Sequence, residues 1–137
     1  MLPEERIMLK MLSISTHDRT QMLDITTEIQ NLVQESGHQE GLCFVFIPHT
    51  TAGITINENA DASVQSDILQ ELNKVIPFDD NYTHLEGNSA GHIKASLMGS
   101  SVAVIVENGK LKLGTWQGIY FCEFDGPRSR KVWVKVI

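Results

Sequence analysis

The sequence contains no long apolar run, few cysteines and fewer basic than acidic residues, and each scarcity excludes a class of protein. No apolar segment approaches the roughly 18 residues of a membrane-spanning helix, so no membrane partner is predicted. Residues 1–6 lack the basic and apolar parts of a signal peptide, so a cytoplasmic location is expected. The formal net charge of -6 argues against nucleic-acid partners, because such proteins usually carry a basic patch.

The two cysteines, Cys43 and Cys122, both lie inside apolar runs that are typical of strands. Two cysteines without a secretion signal favour buried, reduced thiols over a disulfide. A nucleophilic pair of Cys43 with His49 is not expected, since six residues of strand would separate them by about 20 Å.

The length of 137 residues fits a single domain, residues 1–137, with one core. The pattern predicts an α+β fold, a two-sheet β-sandwich of about seven or eight short strands with two or three helices to one side. Strands are predicted at residues 8–16, 42–47, 54–56, 102–107, 110–113, 119–124 and 131–137, with a short second strand that ends at residue 24. Helices are predicted at 26–36, 59–75 and 88–98.

Local signals set several of these boundaries. Thr26 is expected to cap the first helix and Gly37 to end it. The pair Asn108-Gly109 predicts a two-residue hairpin of type I′. Periodicity places buried faces at Val64, Ile68, Leu69, Leu72 and Val75, at Ile93 and Leu97, and at Val132, Val134 and Val136.

The segment His49-Thr50-Thr51 follows directly on the predicted strand 42–47. Pro48 cannot donate to a sheet ladder, so it ends the strand and places His49 at the rim of the sheet. A rigid strand that delivers a histidine and two hydroxyl groups to one point is a common way to build an active site.

Three histidines with polar and small neighbours, His49, His84 and His92, could converge on a divalent metal such as zinc or magnesium. The alternative is three hydrogen-bonding histidines in polar turns. His17 and His38 lie in turn-like segments and are expected to be solvated.

Two helix starts carry polar side chains. Asn88 and His92 are one helical turn apart, and a helix N-terminus favours an anion such as phosphate, although Asn88 could simply cap the helix. Glu58, next to Asn57, is the candidate general base because it follows the His49 turn closely in sequence.

Two further segments could contact a ligand. Arg128 follows the Asp125-Gly126-Pro127 turn, and a rigidly held guanidinium suits phosphate, although Glu123 or Asp125 could pair with it instead. Trp116, between Thr115 and Gln117 in a glycine-rich loop, could stack on a ligand or cover the core.

Three ordered motifs resemble the YjbQ family of small bacterial and archaeal proteins, over nearly the whole chain. They are GLCFVFIPHTTAGITINENAD at 41–61, YTHLEGNSAGHIKASLMG at 82–99 and GKLKLGTWQGIYFCEFDGPRSRKVWV at 109–134. Gly91 departs from the pattern, which more usually has alanine there.

The resemblance implies the YjbQ-like two-sheet sandwich and a homotrimer whose sheets pack around the threefold axis. It also implies a weak, secondary thiamine-phosphate synthase activity on phosphorylated small molecules; a non-catalytic metal- or anion-binding trimer is the alternative. The site positions that it implies are His49, Thr50, Asn57, Glu58, His84, Asn88, His92, Thr115, Gln117, Glu123, Asp125 and Arg128.

Overall fold

The computed structural model describes residues 9–137, which form eight strands and three helices. Sheet A contains, in spatial order, β1 (Lys10–Ser15), β8 (Ser129–Val136), β3 (Glu40–Phe46), β5 (Ser101–Glu107) and β6 (Lys110–Leu111). Sheet B contains β2 (Gln21–Asp24), β7 (Gln117–Glu123) and β4 (Ala52–Glu58). The helices are α1 (Thr26–Ser36), α2 (Ser63–Val75) and α3 (Ser89–Met98).

The predicted fold class is confirmed, since both sheets are antiparallel and the helices accompany them. The predicted strand at 54–56 is longer in the structure, because β4 pairs with β7 from Ala52 to Glu58. The predicted strand at 110–113 is limited to Lys110–Leu111. Residues 1–8, including the start of the first predicted strand, lie outside the described residues.

The core lies between the two sheets and is closed by α1. Val45 and Val134 from sheet A and Phe121 from sheet B are fully buried there, together with Ile29 and Val33 of α1. The alternation predicted for the last strand is confirmed, because its three valines are buried while the residues between them are exposed. No helix among residues 9–137 is long and apolar enough to cross a membrane.

Helices α2 and α3 pack on the outer face of sheet B. The predicted face of α2 is confirmed except at Val75, because Leu69 and Leu72 pack against the core there. The predicted face of α3 is wrong. Ile93 and Leu97 are 40% and 66% exposed, and Val75 is 66% exposed. The face of α3 that is buried carries mainly small residues, including Ala90, Gly91 and Ala95. Small residues let the helix approach the sheet closely, so apolar periodicity identified the opposite face.

Lys94 is the exception to the small residues on that face, and it joins α3 to α2. Its ammonium group donates to Asn73 and lies 3.8 Å from the centre of the Phe78 ring. Burial and the charge of Arg19 lower the pKa of Lys94 to about 8. The contact fixes the helix that carries His92.

Two local predictions need correction, whereas the helix end at Gly37 and the hairpin at Asn108-Gly109 are confirmed. Thr26 does not cap α1, because its hydroxyl donates to Asp24 and accepts the Ile119 N–H, at 2.5 and 2.8 Å. His38 is buried rather than solvated, since the left-handed Gly37 that ends α1 turns it inward against Ser36. The type I′ hairpin is confirmed by positive φ angles of 54° and 74° at Asn108-Gly109.

Gly91 is required by packing, which makes it a test of the α3 position. A Cβ atom at Gly91 would lie 2.8 Å from the backbone oxygen of Phe124, which cannot move aside easily. We expect Gly91→Ala to lower the free energy of unfolding by about 1–3 kcal/mol, despite the better helix propensity of alanine. Urea unfolding measures this.

Gly114→Ala is the matched control, because the added methyl group would meet only the flexible end of the Gln117 side chain. A Gly91→Ala protein as stable as the wild type would contradict the close contact between α3 and the end of β7.

Candidate functional site

His49 lies just beyond β3, and its orientation is fixed by the backbone of β8. The Lys131 N–H donates to Nε2 of His49 at 2.9 Å, so that nitrogen is unprotonated and the neutral ring carries its proton on Nδ1. Burial, and then the charge of Arg130, lower the pKa of His49 below its ordinary value of 6.5. His49 therefore offers a neutral N–H donor.

A cavity of about 510 Å³ lies beside His49, a size that suits a small metabolite. It brings together side chains from β3, from the loop before α3 and from both ends of the β7–β8 connection. Its lining residues are Phe46, Ile47, Pro48, His49, Thr50, Thr51, Glu86, Asn88, His92, Ser100, Asp125, Arg128 and Arg130. We call it the His49 cavity.

Arg130, which lines the His49 cavity, forms a buried ion pair with Glu123 behind it. Their side chains are 3% and 0% exposed, and the guanidinium donates through Nε to Oε1 at 2.9 Å and through Nη2 to Oε2. Burial alone would raise the pKa of Glu123, but hydrogen bonds from Arg130, Thr16 and the Asp125 N–H lower it. Glu123 is therefore a structural carboxylate.

Arg130 was not predicted as a site residue. The sequence pattern could have predicted its burial, since Arg130 falls on the same alternate positions of β8 as the buried valines. Arginine is almost never fully buried unless it is paired with an acidic group, so this position would have indicated an ion pair.

Asp125 organises another part of the cavity lining. Arg128 donates through Nε to the Asp125 backbone oxygen at 2.8 Å and through Nη2 to its carboxylate at 2.9 Å. Asn88 donates through Nδ2 to Asp125 and to Glu86, at 2.8 and 2.9 Å. Asn88 does not cap α3 with its side chain, so the capping alternative is wrong.

His92 lies where three cavities meet. It lines the His49 cavity, a cavity of about 480 Å³ that also reaches His49, and one of about 450 Å³ in front of His84. The rings of His84 and His92 are in edge-to-face contact, with centroids 5.5 Å apart. We call the third space the His84 cavity; Asn81, Tyr82, Thr83, His84, Ser89, His92 and Ile93 line it.

A second group of predicted site residues lies at the far end of sheet B. In the β4–β7 pairing, Ala52 is opposite Glu123 whereas Glu58 is opposite Gln117, so six residues of strand, about 20 Å, separate the two ends. The members of this far-end group are Asn57, Glu58, Thr115, Trp116 and Gln117. The expectation that Glu58 lies close to the His49 turn is therefore wrong within one chain.

The far-end group has its own local contacts. Glu58 accepts the Ala60 N–H at 2.8 Å, and Gln117 accepts the Gly114 N–H at 2.8 Å. Trp116 is 63% exposed, so it does not cover the core.

The predicted three-histidine metal site does not fit the geometry of a single chain. Among residues 9–137, no group of three or more His, Cys, Asp or Glu side chains is placed to hold a metal ion. His49 has already committed Nε2 to a hydrogen bond, so a metal at Nδ1 would require the ring to lose its last proton.

Comparisons with known proteins agree with this architecture. Residues 10–137 match the model of the family described as "UPF0047 protein YjbQ-like". The chain belongs to the YjbQ family. It is 53% identical to the UPF0047 protein YugU of Bacillus subtilis over 131 residues, which covers 95% of this chain and 99% of that protein.

Solved structures of the family have the same fold. An uncharacterized conserved YjbQ/UPF0047 family protein from Clostridium acetobutylicum matches with a TM-score of 0.92 and 62% identity, covering 93% of this chain and 99% of that one. A YbjQ-like protein of unknown function from Sulfolobus solfataricus matches with a TM-score of 0.90 and 31% identity, covering 95% and 96%. The two-sheet fold implied by the YjbQ resemblance is confirmed.

The cysteines of this YjbQ-family chain match their prediction. Both are free and buried, and burial raises the pKa of Cys43 to about 11 and that of Cys122 to about 12. Thiols that hold their protons so firmly are poor nucleophiles near neutral pH.

The ion pair predicts how the stability of the chain depends on pH. Glu123→Gln leaves the Arg130 charge buried without its partner, so the free energy of unfolding at pH 7 should fall by about 3–5 kcal/mol. The folded-state pKa of Glu123 is lowered from 4.5, so the stability that this carboxylate contributes is complete above 4.5 and lost as the pH falls through the lower value. The difference in the free energy of unfolding between the wild type and Glu123→Gln should therefore become smaller in acid.

Urea unfolding of both proteins between pH 7 and pH 3 measures that difference. Glu71→Gln, on the exposed side of α2, controls for the loss of a surface carboxylate. A difference that keeps its size at pH 3 would mean that the pair does not depend on Glu123 ionisation.

Proposed function

We propose that this YjbQ-family protein is an enzyme of small phosphorylated metabolites, with thiamine-phosphate synthesis as a weak, secondary activity. The observation that carries the proposal is the placement of two cavities on either side of His92. A reaction that joins two molecules needs two adjacent binding spaces with the reacting atoms held between them.

The reaction places specific demands on those spaces. The nitrogen of a thiazole phosphate attacks the methylene carbon of a pyrimidine methyl diphosphate, the carbon–oxygen bond breaks, and pyrophosphate leaves with the electron pair. Negative charge grows on the departing oxygen, so fixed donors near that atom stabilise the transition state.

The His49 cavity supports the diphosphate role because its polar lining includes N–H donors. Arg128 offers the remaining hydrogens of its guanidinium, and His49 offers Nδ1–H without adding charge. The His84 cavity supports the ring role, because Tyr82 and Ile93 give it apolar surface. His92, between the two, is positioned to donate a hydrogen bond to the leaving oxygen.

Glu58 and a divalent metal have weaker support within this proposal. Glu58 and the rest of the far-end group could reach a His49 cavity only from another subunit, given the length of β4. Zinc or magnesium binding stays a prediction, and the chelator arm of the assay below tests it.

We propose further that the protein is a homotrimer. The outer face of sheet A exposes a continuous apolar patch, which a monomer would leave in water. Phe46 stacks on Trp133 with ring centroids 5.8 Å apart, and neighbouring strands add further apolar side chains. The patch comprises Leu9, Met11, Leu42, Phe44, Phe46, Ile105 and Trp133.

The functional proposal predicts graded losses of activity. Arg128→Ala and His49→Ala should each slow thiamine-phosphate formation about 10²-fold or more, the scale of losing one preorganised donor at developing charge. The measurement is product formation from both substrates by each purified variant, with and without chelator.

His17→Ala is the control, because His17 is exposed and its ring lies outside the cavities described above, whereas the buried His38 would confound stability with activity. Equal rates in the wild type and both variants would reject the synthase. If the phosphorylated substrate then bound without turnover, the protein would be the alternative, a non-catalytic anion-binding trimer.

The homotrimer proposal is tested at the apolar patch. Trp133→Lys should shift the sedimentation mass from three chains to one, because a buried lysine charge opposes association. Val75→Lys on α2, an exposed apolar position outside sheet A, should leave the mass unchanged. A wild-type protein that sediments as a monomer at micromolar concentration would contradict the trimer.

A further inference from the structure

Arg130 differs from every other basic residue of the His49 cavity in how firmly it is held. It lies on the inward period of β8 and is 4% exposed, inside the end of the sandwich. Arg128, in contrast, keeps 47% of its side chain exposed and is tied to its own turn through Asp125.

Two of the three guanidinium nitrogens of Arg130 are occupied by protein groups. Nε donates to Glu123, and Nη2 donates to Glu123 and to Thr51, whose hydroxyl oxygen lies at 2.8 Å and whose backbone oxygen lies at 3.3 Å. These contacts come from one strand, β7, and from the loop before β4, so the plane of the guanidinium is fixed.

The third nitrogen, Nη1, is the one that remains available. Within residues 9–137 it donates to no protein group, although it carries two hydrogens. The fully enclosed side-chain atoms without a partner in the described residues are Nε2 of His38 and Oδ1 of Asn88, and Nη1 is not among them. Arg130 lines the His49 cavity, and Nη1 is its one guanidinium nitrogen without a protein acceptor among residues 9–137.

We infer that Arg130 is the fixed anion anchor of the His49 cavity, with Nη1 donating to a phosphoryl oxygen of the ligand. This inference rests on the proposed function in one respect, that the cavity takes a phosphorylated molecule. Glu123 and Thr51 are then positioning residues, since they act on the ligand only by holding the guanidinium.

The anchor works by direction more than by net charge. Glu123 balances the charge of Arg130, so the buried guanidinium stays in place whether or not a ligand is bound. A donor that is already oriented loses little freedom when it binds, which strengthens the bond it makes. An exposed arginine such as Arg128 must give up side-chain freedom and solvent first.

The test uses inorganic pyrophosphate and the full-length native protein in titration calorimetry. Arg130→Lys keeps a positive charge but loses the planar fork, so pyrophosphate affinity should fall about tenfold or more, the scale of one hydrogen bond to a charged group. Arg19→Lys is the matched comparison, because Arg19 is exposed and lines none of the three cavities, and it should weaken binding less than threefold.

A second measurement needs no change at Arg130. In arginine-labelled wild-type protein, the guanidinium nitrogen and hydrogen signals of Arg130 should shift as pyrophosphate is added. The signals are assigned with Thr51→Val, which removes one Nη2 partner and leaves the ion pair intact. A purely structural arginine would not respond to pyrophosphate, even if Arg130→Lys proved unable to fold.

Each outcome decides the inference. Unchanged Arg130 signals at saturating pyrophosphate, equal affinity in wild type and Arg130→Lys, or no pyrophosphate binding at millimolar concentration would overturn it. Binding with the expected Arg130 shifts, but without thiamine-phosphate formation, would support the anchor and reject the proposed synthase.

Discussion

The ion pair between Arg130 and Glu123 joins the two sheets at the end where the candidate site lies. Arg130 comes from β8 in sheet A and Glu123 from β7 in sheet B, and both side chains are buried. A buried charge that lost its partner would be strongly destabilising, so each residue fixes the position of the other. The pair also fixes the residues next to it in sequence. Of these, Lys131 orients His49 through its N–H, and Asp125 orients Arg128 through its carboxylate.

Close packing of α3 against sheet B completes the site. Gly91 lies against the backbone at Phe124, and Gly53 of β4 lies against the backbone at Gly99, so the helix and the strands approach closely at both glycines. This close approach brings His92 over the end of the sheet and places Asn88 within hydrogen-bond reach of Asp125. Larger residues at the two glycines would move the helix, and both polar side chains with it.

Most of the fold could be predicted from the sequence, because alternation and turn chemistry are local. The valines of β8 and the Asn108-Gly109 hairpin are examples. The site was less predictable. Glu58 is close to His49 in sequence but lies at the other end of β4, and strand direction is set by pairing with β7. Arg130 was missed because its partner Glu123 is identified only by sheet-to-sheet packing.

The electrostatics of the chain constrain how the proposed anion site can work. The formal net charge is -6, and both arginines of the His49 cavity are already paired with carboxylates. Long-range attraction of an anion is therefore weak, and association gains little from steering. Selectivity must come instead from N–H groups whose directions are set before the ligand arrives, and these are the groups that His49 and Arg130 provide. A site of this kind discriminates by the geometry of the phosphoryl oxygens more than by the number of charges they carry.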